Sequence, residues 1–249
     1  MTRSNTHIRI GIGGWTFEPW RGTFYPEKLT QKRELEYAAS KLSSIEVNGT
    51  YYSPQKPESY RKWHDETPDD FVFTLKGPRF ATNRKILAGA GESVGKFLTG
   101  GILELKDKLG PINWQFMGTK RFDAEDFEAF LTLLPKSLEG RTLRHAVEVR
   151  HESFRTPDFF EMARRHEVAI IHGADSRYPE IEEATAPYAY VRIMGTREDE
   201  PKGYSEAELD RWAERAKDWA AGGRDVYLYV ISGAKRHNPA AAMALIERI

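Results

Sequence analysis

The stretch that decides the fold runs from residue 189 to residue 230. It reads AYVRI at residues 189–193, SEAE at residues 205–208 and VYLYV at residues 226–230. The first and last pieces are short runs of β-branched and aromatic residues, which favour strands. The middle piece is a capping box, the sequence signature of a helix N-terminus. A strand, a helix and a second strand in this order predict one unit of a parallel sheet.

The same alternation of strands and helices continues along the rest of the chain. The predicted strands are residues 8–13, 44–47, 71–75, 113–116, 145–149, 169–172, 189–193 and 226–230. Most are nearly continuous apolar runs, as expected for strands that are covered on both faces. No linker or change of composition divides the 249 residues. We therefore expect a single α/β domain over residues 1–249 that folds as a (β/α)8 barrel, the TIM-barrel fold.

An open, doubly wound sheet is the competing architecture. Such a sheet normally carries a Gly-rich phosphate loop after its first strand. The sequence GIGGWT at residues 11–16 looks similar, but Thr16 stands where the GxGxxG pattern has its last glycine. This departure argues against a dinucleotide site, and the barrel is preferred.

The bulk composition argues against several classes of protein. The chain has 37 basic and 37 acidic residues, whereas a surface built entirely for nucleic acid is usually strongly basic. It has no cysteine, which excludes disulfides, thiolate chemistry and cysteine metal sites. Residues 1–7 lack the apolar core of a signal peptide, and no apolar run is long enough to span a bilayer. We expect a cytoplasmic protein with no membrane partner.

Polar side chains recur where the predicted strands end, which is where TIM barrels carry their active sites. Residues two apart on a strand point to the same face. Three such pairs stand at strand ends, namely Glu46 with Asn48, Glu148 with Arg150, and Tyr190 with Arg192. The other polar or aromatic candidates at these ends are Trp15, Tyr52, Lys76, Gln115, His151 and Asp175. These side chains are expected to converge on one pocket.

The residue types suggest acid/base chemistry on an anionic small molecule. Glu46, Glu148 and Asp175 are the candidate catalytic carboxylates. The predicted substrate-binding residues are Trp15, Asn48, Tyr52, Lys76, Gln115, Arg150, His151, Tyr190 and Arg192. Among them the lysine and the two arginines suit a phosphate or carboxylate. The alternative is a network of buried ion pairs that only fills the end of the barrel, because buried charges must be paired.

A divalent metal is the second chemical alternative, and we do not favour it. Oxygen and imidazole ligands suit such a cation. The candidate set is Glu46, Glu148, His151, His172 and Asp175. No HExxH or similar local motif supports this set, and the neighbouring basic residues compete for the carboxylates. We therefore assign no metal ligand, and the cofactor stays unknown. His151 alternatively caps the start of the next helix.

The motifs in this order resemble one known family from end to end. They are GGW at 13–15, WRG at 20–22, FYP at 24–26, EVN at 46–48, YY at 51–52, KGPRF at 76–80, KLGP at 108–111, Gln115, EVRH at 148–151, DS at 175–176, YVR at 190–192 and GYS at 203–205. On these residues the chain is identified as a member of the YecE-like family, also called domain of unknown function 72. The resemblance implies a TIM barrel like those of sugar isomerases and an apurinic endonuclease, but it implies no particular reaction.

The sequence also departs from the pattern of that family at four places. Residues 116–120 replace a usual Leu-Pro-Pro turn, and residues 231–234 replace a usual Asn-Asn-Asp. Asn83 and Met194 stand where the family often has histidine. These changes remove polar groups from the end of the barrel and weaken the metal alternative further.

Three functional hypotheses remain open at this point. The first is an enzyme that acts on a small anionic or sugar-phosphate-like substrate. The second is a nucleic-acid-binding or endonuclease-like barrel, which needs a basic rim. Candidates for that rim are Arg79, Arg84, Lys85, Lys120, Arg121, Lys235 and Arg236. The third is a non-catalytic protein that binds a ligand in the same pocket.

Overall fold

The predicted strands are present as a ring of parallel strands in the computed structural model, which describes residues 7–249. The strands are β1 (Ile8–Gly13), β2 (Ser44–Val47), β3 (Val72–Lys76), β4 (Leu109–Gln115), β5 (Ser137–Leu138), β6 (Arg141–Thr142), β7 (His145–Glu148), β8 (Ala169–Ile170), β9 (His172–Ala174), β10 (Tyr188–Ile193) and β11 (Asp225–Val230). Nine of them pair in parallel in the order β8-β7-β4-β3-β2-β1-β11-β10-β9. The short β5 and β6 form a separate antiparallel hairpin.

The ring closes through the sixth strand of the barrel, which the structure divides into β8 and β9. β8 pairs with β7, and β9 pairs with β10. Only Ile171 separates the two pieces, and its N–H donates to the carbonyl of Val147. The chain therefore forms the predicted (β/α)8 barrel rather than an open, doubly wound sheet.

Helices and short helical turns follow the barrel strands. The α-helices among residues 7–249 are α1 (Glu34–Lys41), α2 (Gly49–Tyr52), α3 (Pro57–Asp65), α4 (Arg79–Thr82), α5 (Gly91–Leu98), α6 (Ala124–Thr132), α7 (Pro157–His166), α8 (Glu206–Trp219) and α9 (Asn238–Ile246). The capping box predicted for α8 is present, because Ser205 and Glu208 bond each other's backbone N–H groups. The Thr156 side chain caps α7 by accepting from the N–H of Phe159, with Pro157 at the first helical position.

Alternate residues of each strand face different surroundings. One set packs against the helices and is apolar, as with Ile10, Ile45, Phe73 and Leu228. The opposite set faces the barrel interior, and four tyrosines of β10 and β11 lie there, namely Tyr188, Tyr190, Tyr227 and Tyr229. TIM barrels usually fill this interior with branched apolar side chains. Polar and aromatic side chains replace them here, which makes the interior the place to look for function.

Several element boundaries differ from the sequence-based expectation. β4 begins at Leu109, four residues before the predicted strand, because the preceding chain is a 3-10 turn that ends at Lys108. The segment 83–110 holds two 3-10 turns around α5. The β5–β6 hairpin was not predicted. Its turn uses Glu139 and Gly140, both with positive φ.

Two other expectations concern the ends and the environment of the chain. Within the part of the chain that the structure describes, no helix is both long and apolar enough to cross a membrane. The polar N-terminus on which the signal-peptide argument rests lies outside the described residues, except for His7.

Candidate functional site

The barrel register brings together charged side chains from the C-terminal ends of four strands, β2, β3, β7 and β10. Glu46 lies beside Gly13 of β1, and Glu148 lies beside Gln115 of β4. Lys76 is the last residue of β3, and Arg192 stands one residue before the end of β10. We call Glu46, Lys76, Glu148, Arg150 and Arg192 the charged cluster. All are buried except Arg150, whose side chain is 18% exposed.

Arg192 stands at the centre of the charged cluster. One terminal nitrogen of its guanidinium donates to Glu148, and the other donates to Oε1 of Glu46 at 3.1 Å. Burial alone would lower the pKa of Arg192, but the two carboxylates outweigh it and raise the pKa above its ordinary value. The Nε atom of Arg192 is buried and has no hydrogen-bond partner in the described part of the chain. This arginine is fixed by its neighbours and holds two carboxylates in place.

Glu46 is saturated by protein contacts. Besides Arg192, its Oε2 accepts a hydrogen bond from the hydroxyl of Tyr190 at 2.6 Å and one from the amide of Asn113 at 3.2 Å. Tyr190 also bonds Thr74 at 3.0 Å. Burial and the charge of Glu46 raise the pKa of Tyr190 well above its ordinary value, so this hydroxyl stays a donor.

Glu148 bridges the two arginines of the cluster. Its Oε1 accepts from Nε of Arg150 at 2.7 Å, and its Oε2 accepts from Arg192. Burial would raise the pKa of Glu148, but Arg192, Arg150 and Lys76 outweigh that effect and lower the pKa to about 2. The ring of Tyr178 lies over the Arg150 guanidinium at 4.5 Å. Glu148 is therefore a permanent carboxylate that orients Arg150 beneath this ring.

Lys76 differs from the other charges because no carboxylate among residues 7–249 forms an ion pair with it. Its Nζ donates to Oε1 of Gln115 and lies 4.9 Å from the centre of the Tyr51 ring. Burial, and next the charge of Arg192, lowers the pKa of Lys76 to about 8, although Glu46 and Glu148 partly oppose this. Lys76 thus titrates closer to neutral pH than an exposed lysine does.

The charges of the cluster do not cancel. Lys76, Arg150 and Arg192 bring three positive charges, and Glu46 and Glu148 bring two negative charges, so one positive charge is left while Lys76 is protonated. The surplus lies on Lys76, because each carboxylate is already paired with an arginine. A buried cation without a counter-ion is costly unless an anion joins it.

The structure brings some of the predicted site residues together and separates others. Hydrogen bonds join Glu46, Glu148, Arg150, Tyr190 and Arg192. Lys76 bonds Gln115 and lies close enough to Glu46, Glu148 and Arg192 for their charges to act on it. Asp175 lies on an exposed loop after β9, where its charge acts on Tyr204 and its N–H bonds Glu180. His151 accepts from the N–H of Ser153 and so caps the short turn that follows it.

The remaining predicted residues line the rim. Asn48 lines a cavity at the ends of β1 and β2 together with Trp15. The Trp15 ring packs edge-on against Trp63 of α3 at 5.2 Å. The Tyr52 side chain is exposed and lies beside a second cavity, of about 290 Å³, that also contains Phe80. Within residues 7–249, none of these three residues forms a hydrogen bond or ion pair with the charged cluster.

The candidate metal ligands are not gathered at one point. Glu46 and Glu148 bond arginines, whereas the His172 ring packs near Trp219, 5.7 Å away, and its Nδ1 lies 3.3 Å from the carbonyl of Ile181. Across residues 7–249, no group of three or more histidine, aspartate or glutamate side chains is arranged to hold a metal ion. The metal alternative therefore lacks a ligand set in this part of the chain.

Sequence reasoning missed four residues that complete the site: Tyr51, Thr74, Asn113 and Tyr178. Thr74 stands two residues before Lys76, and Asn113 two residues before Gln115, so the same-face rule already points to both. Tyr178 lies on the loop after β9 and reaches Arg150 only through the tertiary fold. No local sequence signal marks it.

The chain was compared with known families and curated proteins. The family model described as "Protein of unknown function DUF72" matches residues 9–249. The UPF0759 protein YecE of Escherichia coli strain K12 is 30% identical over 147 residues, which are 59% of this chain and 50% of that protein. The UPF0759 protein YunF of Bacillus subtilis is 30% identical over 69 residues, or 28% and 23% of the two chains. The chain thus spans about half the length of the Escherichia coli protein and about a quarter of the Bacillus subtilis protein.

Solved structures with the same fold cover nearly the whole chain. A DUF72 family protein of Thermotoga maritima is 25% identical with a TM-score of 0.75, and 96% of each chain is covered. A DUF72 family protein of Enterococcus faecalis is 18% identical with a TM-score of 0.72, over 97% of this chain and 94% of the other. SacUVDE is 10% identical with a TM-score of 0.59, over 97% of both chains. At these low identities the last two likenesses show the fold alone.

Proposed function

The chain belongs to the family of proteins of unknown function DUF72, and from this premise we propose that it is an enzyme acting on a small anionic, sugar-phosphate-like substrate. The observation that carries the proposal is the buried lysine without a counter-ion in the charged cluster. A cluster that served stability alone would be expected to balance its charges, because an unpaired buried charge is destabilising. An anionic substrate group supplies the missing charge.

The contacts favour a division of roles that differs from the one suggested by residue spacing. Glu46 has both oxygens occupied, and Glu148 keeps a pKa of about 2, so neither is suited to donate a proton near neutral pH. We assign to them the positioning of Arg150 and Arg192. Lys76, with a pKa of about 8, is the proposed general acid.

As an ammonium, Lys76 serves two purposes at once. It attracts the anionic group of the substrate, and its Nζ–H can be donated to an oxygen on which negative charge develops. Gln115 accepts one Nζ–H and so directs the remaining ones. The partly exposed Arg150 offers a second contact for the anion, held in orientation by Glu148.

The first test measures ligand binding by thermal stabilisation. Glucose 6-phosphate and gluconate serve as anionic probes, with glucose and sorbitol as their neutral counterparts. We expect only the anionic probes to raise the Tm, because a ligand stabilises the state that binds it. The Lys76→Met variant should lose the effect, whereas Lys217→Gln on the outer face of α8 should keep it. The effect should also decline above about pH 8, where Lys76 loses its proton.

Turnover is then followed by proton NMR on each probe that binds. Removal of a general acid typically costs about 10²- to 10⁴-fold in rate, and we expect a loss of this size for Lys76→Met. Glu148→Gln should lower the rate as well, because Arg150 loses its orientation. Equal binding of neutral and anionic probes, or full activity of Lys76→Met, contradicts the proposal. Binding without turnover of any probe favours the non-catalytic alternative.

Nucleic-acid binding is the second candidate, and one surface feature favours it. Exposed apolar side chains follow β2, β3 and β4, namely Tyr52, Phe80, Ile86 and Met117. The exposed Arg79 lies over the Phe80 ring at 5.3 Å. Aromatic rings beside basic side chains can stack on unpaired bases. Of the other predicted rim residues, Lys120 is paired with Asp126 at 2.7 Å, and Arg84 bonds the carbonyl of Phe80 and the hydroxyl of Ser93.

A filter-binding assay with single-stranded oligonucleotides tests this candidate. If it is correct, affinity falls steeply as salt rises, and Arg79→Ala or Phe80→Ala weakens it. Arg155→Ala, on the exposed turn after β7, is the matched control, since it removes a charge from another surface. Absence of binding at low salt removes nucleic acid from consideration.

A further inference from the structure

A second cation, Lys235, follows β11, which β1 and β2 separate from β3, the strand of Lys76. A cavity of about 360 Å³ opens at the C-terminal ends of β1 and β2. Its lining includes Gly13, Asn48, Gln55 and Lys235. Pockets for small molecules typically start at about 300 Å³, so this cavity has the size of a small ligand. Gly13 lies beside Glu46 in the sheet, which makes the cavity a neighbour of the charged cluster.

Lys235 is held in this cavity by aromatic rings and not by a carboxylate. Its Nζ lies 4.2 Å from the centre of the Phe17 ring and 5.5 Å from that of Trp20. No acidic side chain among residues 7–249 forms an ion pair with it, and burial lowers its pKa. Aromatic faces stabilise a cation without neutralising it. The charge is thus positioned and left available to an anion.

The backbone that carries Lys235 is fixed by the fold. Its carbonyl accepts a hydrogen bond from the indole of Trp20 at 2.9 Å. The preceding Ser232 and Gly233 both have positive φ, and the hydroxyl of Thr196 donates to the carbonyl of Ser232. A Cβ at Gly233 would lie 2.5 Å from the carbonyl oxygen of Thr196. A non-glycine residue with positive φ costs free energy, so the loop geometry is imposed by its surroundings.

The floor of the cavity also depends on Gly13, which has no side chain. A Cβ at Gly13 would lie 2.7 Å from the amide nitrogen of Asn48 and 2.7 Å from a methyl of Ile231. The glycine therefore lets the Asn48 amide approach the strand end. Amide groups of Asn48 and Gln55 beside an ammonium are suited to hydroxyl and oxyanion groups of one ligand.

We propose that this cavity binds the terminal oxyanion, a phosphate or a carboxylate, of the substrate, with Lys235 as its counter-ion. The class of ligand in this inference is taken from the proposed function, on which the inference therefore rests. It goes further in adding a second anion contact: Lys235 holds the terminal oxyanion on the β1 and β2 side, and Lys76 pairs with the anionic group at the reacting end on the β3 and β4 side.

The test is a titration with inorganic phosphate, and in a second arm with acetate, at constant ionic strength set with NaCl. The tryptophan indole N–H signals in the NMR spectrum report where the anion binds. Trp15 and Trp63 line the cavity, and the Trp20 indole bonds the Lys235 backbone, whereas Trp114, Trp212 and Trp219 serve as internal references. We expect saturable shifts at the first three indoles only. The arm that saturates at the lower concentration identifies the oxyanion.

Variants decide which lysine is responsible. Lys235→Met keeps the apolar stem and should weaken binding about 10- to 100-fold, as expected for loss of a charged partner. Lys235→Arg should retain binding, and Lys217→Met on α8 should not change it. Absence of saturable shifts in the unmodified protein overturns the inference, whether or not the variants fold. So does a loss confined to Lys76→Met, an outcome that would still leave the proposed function standing.

Discussion

Two buried lysines show how a single residue can be tied to function or to structure. Lys108 donates its Nζ–H groups to the carbonyls of His64 and Thr67, at 2.5 and 2.7 Å, so its ammonium is satisfied by the protein. The Nζ of Lys76 contacts only one acceptor among residues 7–249, the amide oxygen of Gln115, and lies over one aromatic ring, that of Tyr51. Burial lowers the pKa of both lysines, but only Lys108 recovers the lost hydration through backbone oxygens.

This contrast gives a prediction about stability. Lys76→Met should change the free energy of unfolding by less than about 1 kcal/mol or increase it, because an incompletely compensated charge leaves the interior. Lys108→Met should decrease it by about 2 to 4 kcal/mol, because several buried acceptors lose their donor. Urea unfolding of both variants at pH 7 measures the difference. If Lys76→Met is as destabilising as Lys108→Met, the charged cluster is the structural network that the sequence left open as an alternative.

Local sequence signals are most reliable at the level of single elements. The β1 and β2 bounds agree with the predicted strands, and α8 begins with its predicted capping box. Glu208 of that box also receives two hydrogen bonds from Arg197, at 2.9 and 2.6 Å. The box therefore connects the start of α8 to the loop that follows β10.

The capping box of α8 yields the second stability prediction. Ser205→Ala should lower the free energy of unfolding by about 1 kcal/mol, because the N–H of Glu208 loses its side-chain acceptor and Oε2 of Glu208 loses the Ser205 hydroxyl. The matched control is Ser40→Ala near the end of α1, where the hydroxyl only bonds the carbonyl of Tyr37. That change should stay within about 0.5 kcal/mol. Equal losses in the two variants, measured by urea unfolding, would show that the cap contributes nothing specific.

The closed barrel acts at the scale of the whole molecule by gathering charges that are remote in sequence. Arg192 bonds Glu46 across 146 positions and Glu148 across 44. These contacts exist only when β2, β7 and β10 are all in place. These contacts therefore stabilise only the complete barrel. Their contribution to the free energy of unfolding depends on the ionisation of Glu148.

Acid should unfold the protein partly through Glu148. Its pKa falls from 4.5 to about 2 on folding, so its contribution is complete above pH 4.5 and is lost as the pH falls toward 2. A shift of this size corresponds to roughly 3 kcal/mol. We expect Glu148→Gln to be less stable than the unmodified protein at pH 7, and its stability to fall less steeply between pH 4.5 and pH 2.

The control for this experiment is Glu152→Gln, which removes an exposed carboxylate four residues away that pairs with Arg155. Surface pairs of this kind contribute little, so its pH dependence should follow that of the unmodified protein. Free energies of unfolding from urea titrations at pH 7, 4.5, 3.5 and 2.5 give the comparison. Parallel curves for Glu148→Gln and the unmodified protein would contradict the pKa argument.

The sequence by itself determined the fold class, most strand positions and the candidate residues at the strand ends. It could do so because strand alternation, caps and same-face spacing are local properties of the chain. Only the tertiary structure decided which charges meet. The pairing of Glu148 with two arginines, the absence of a carboxylate at Lys76 and the approach of Tyr178 to Arg150 depend on barrel closure and loop paths. Pairing of buried charges is a matter of distances in space, and no spacing along the chain encodes it.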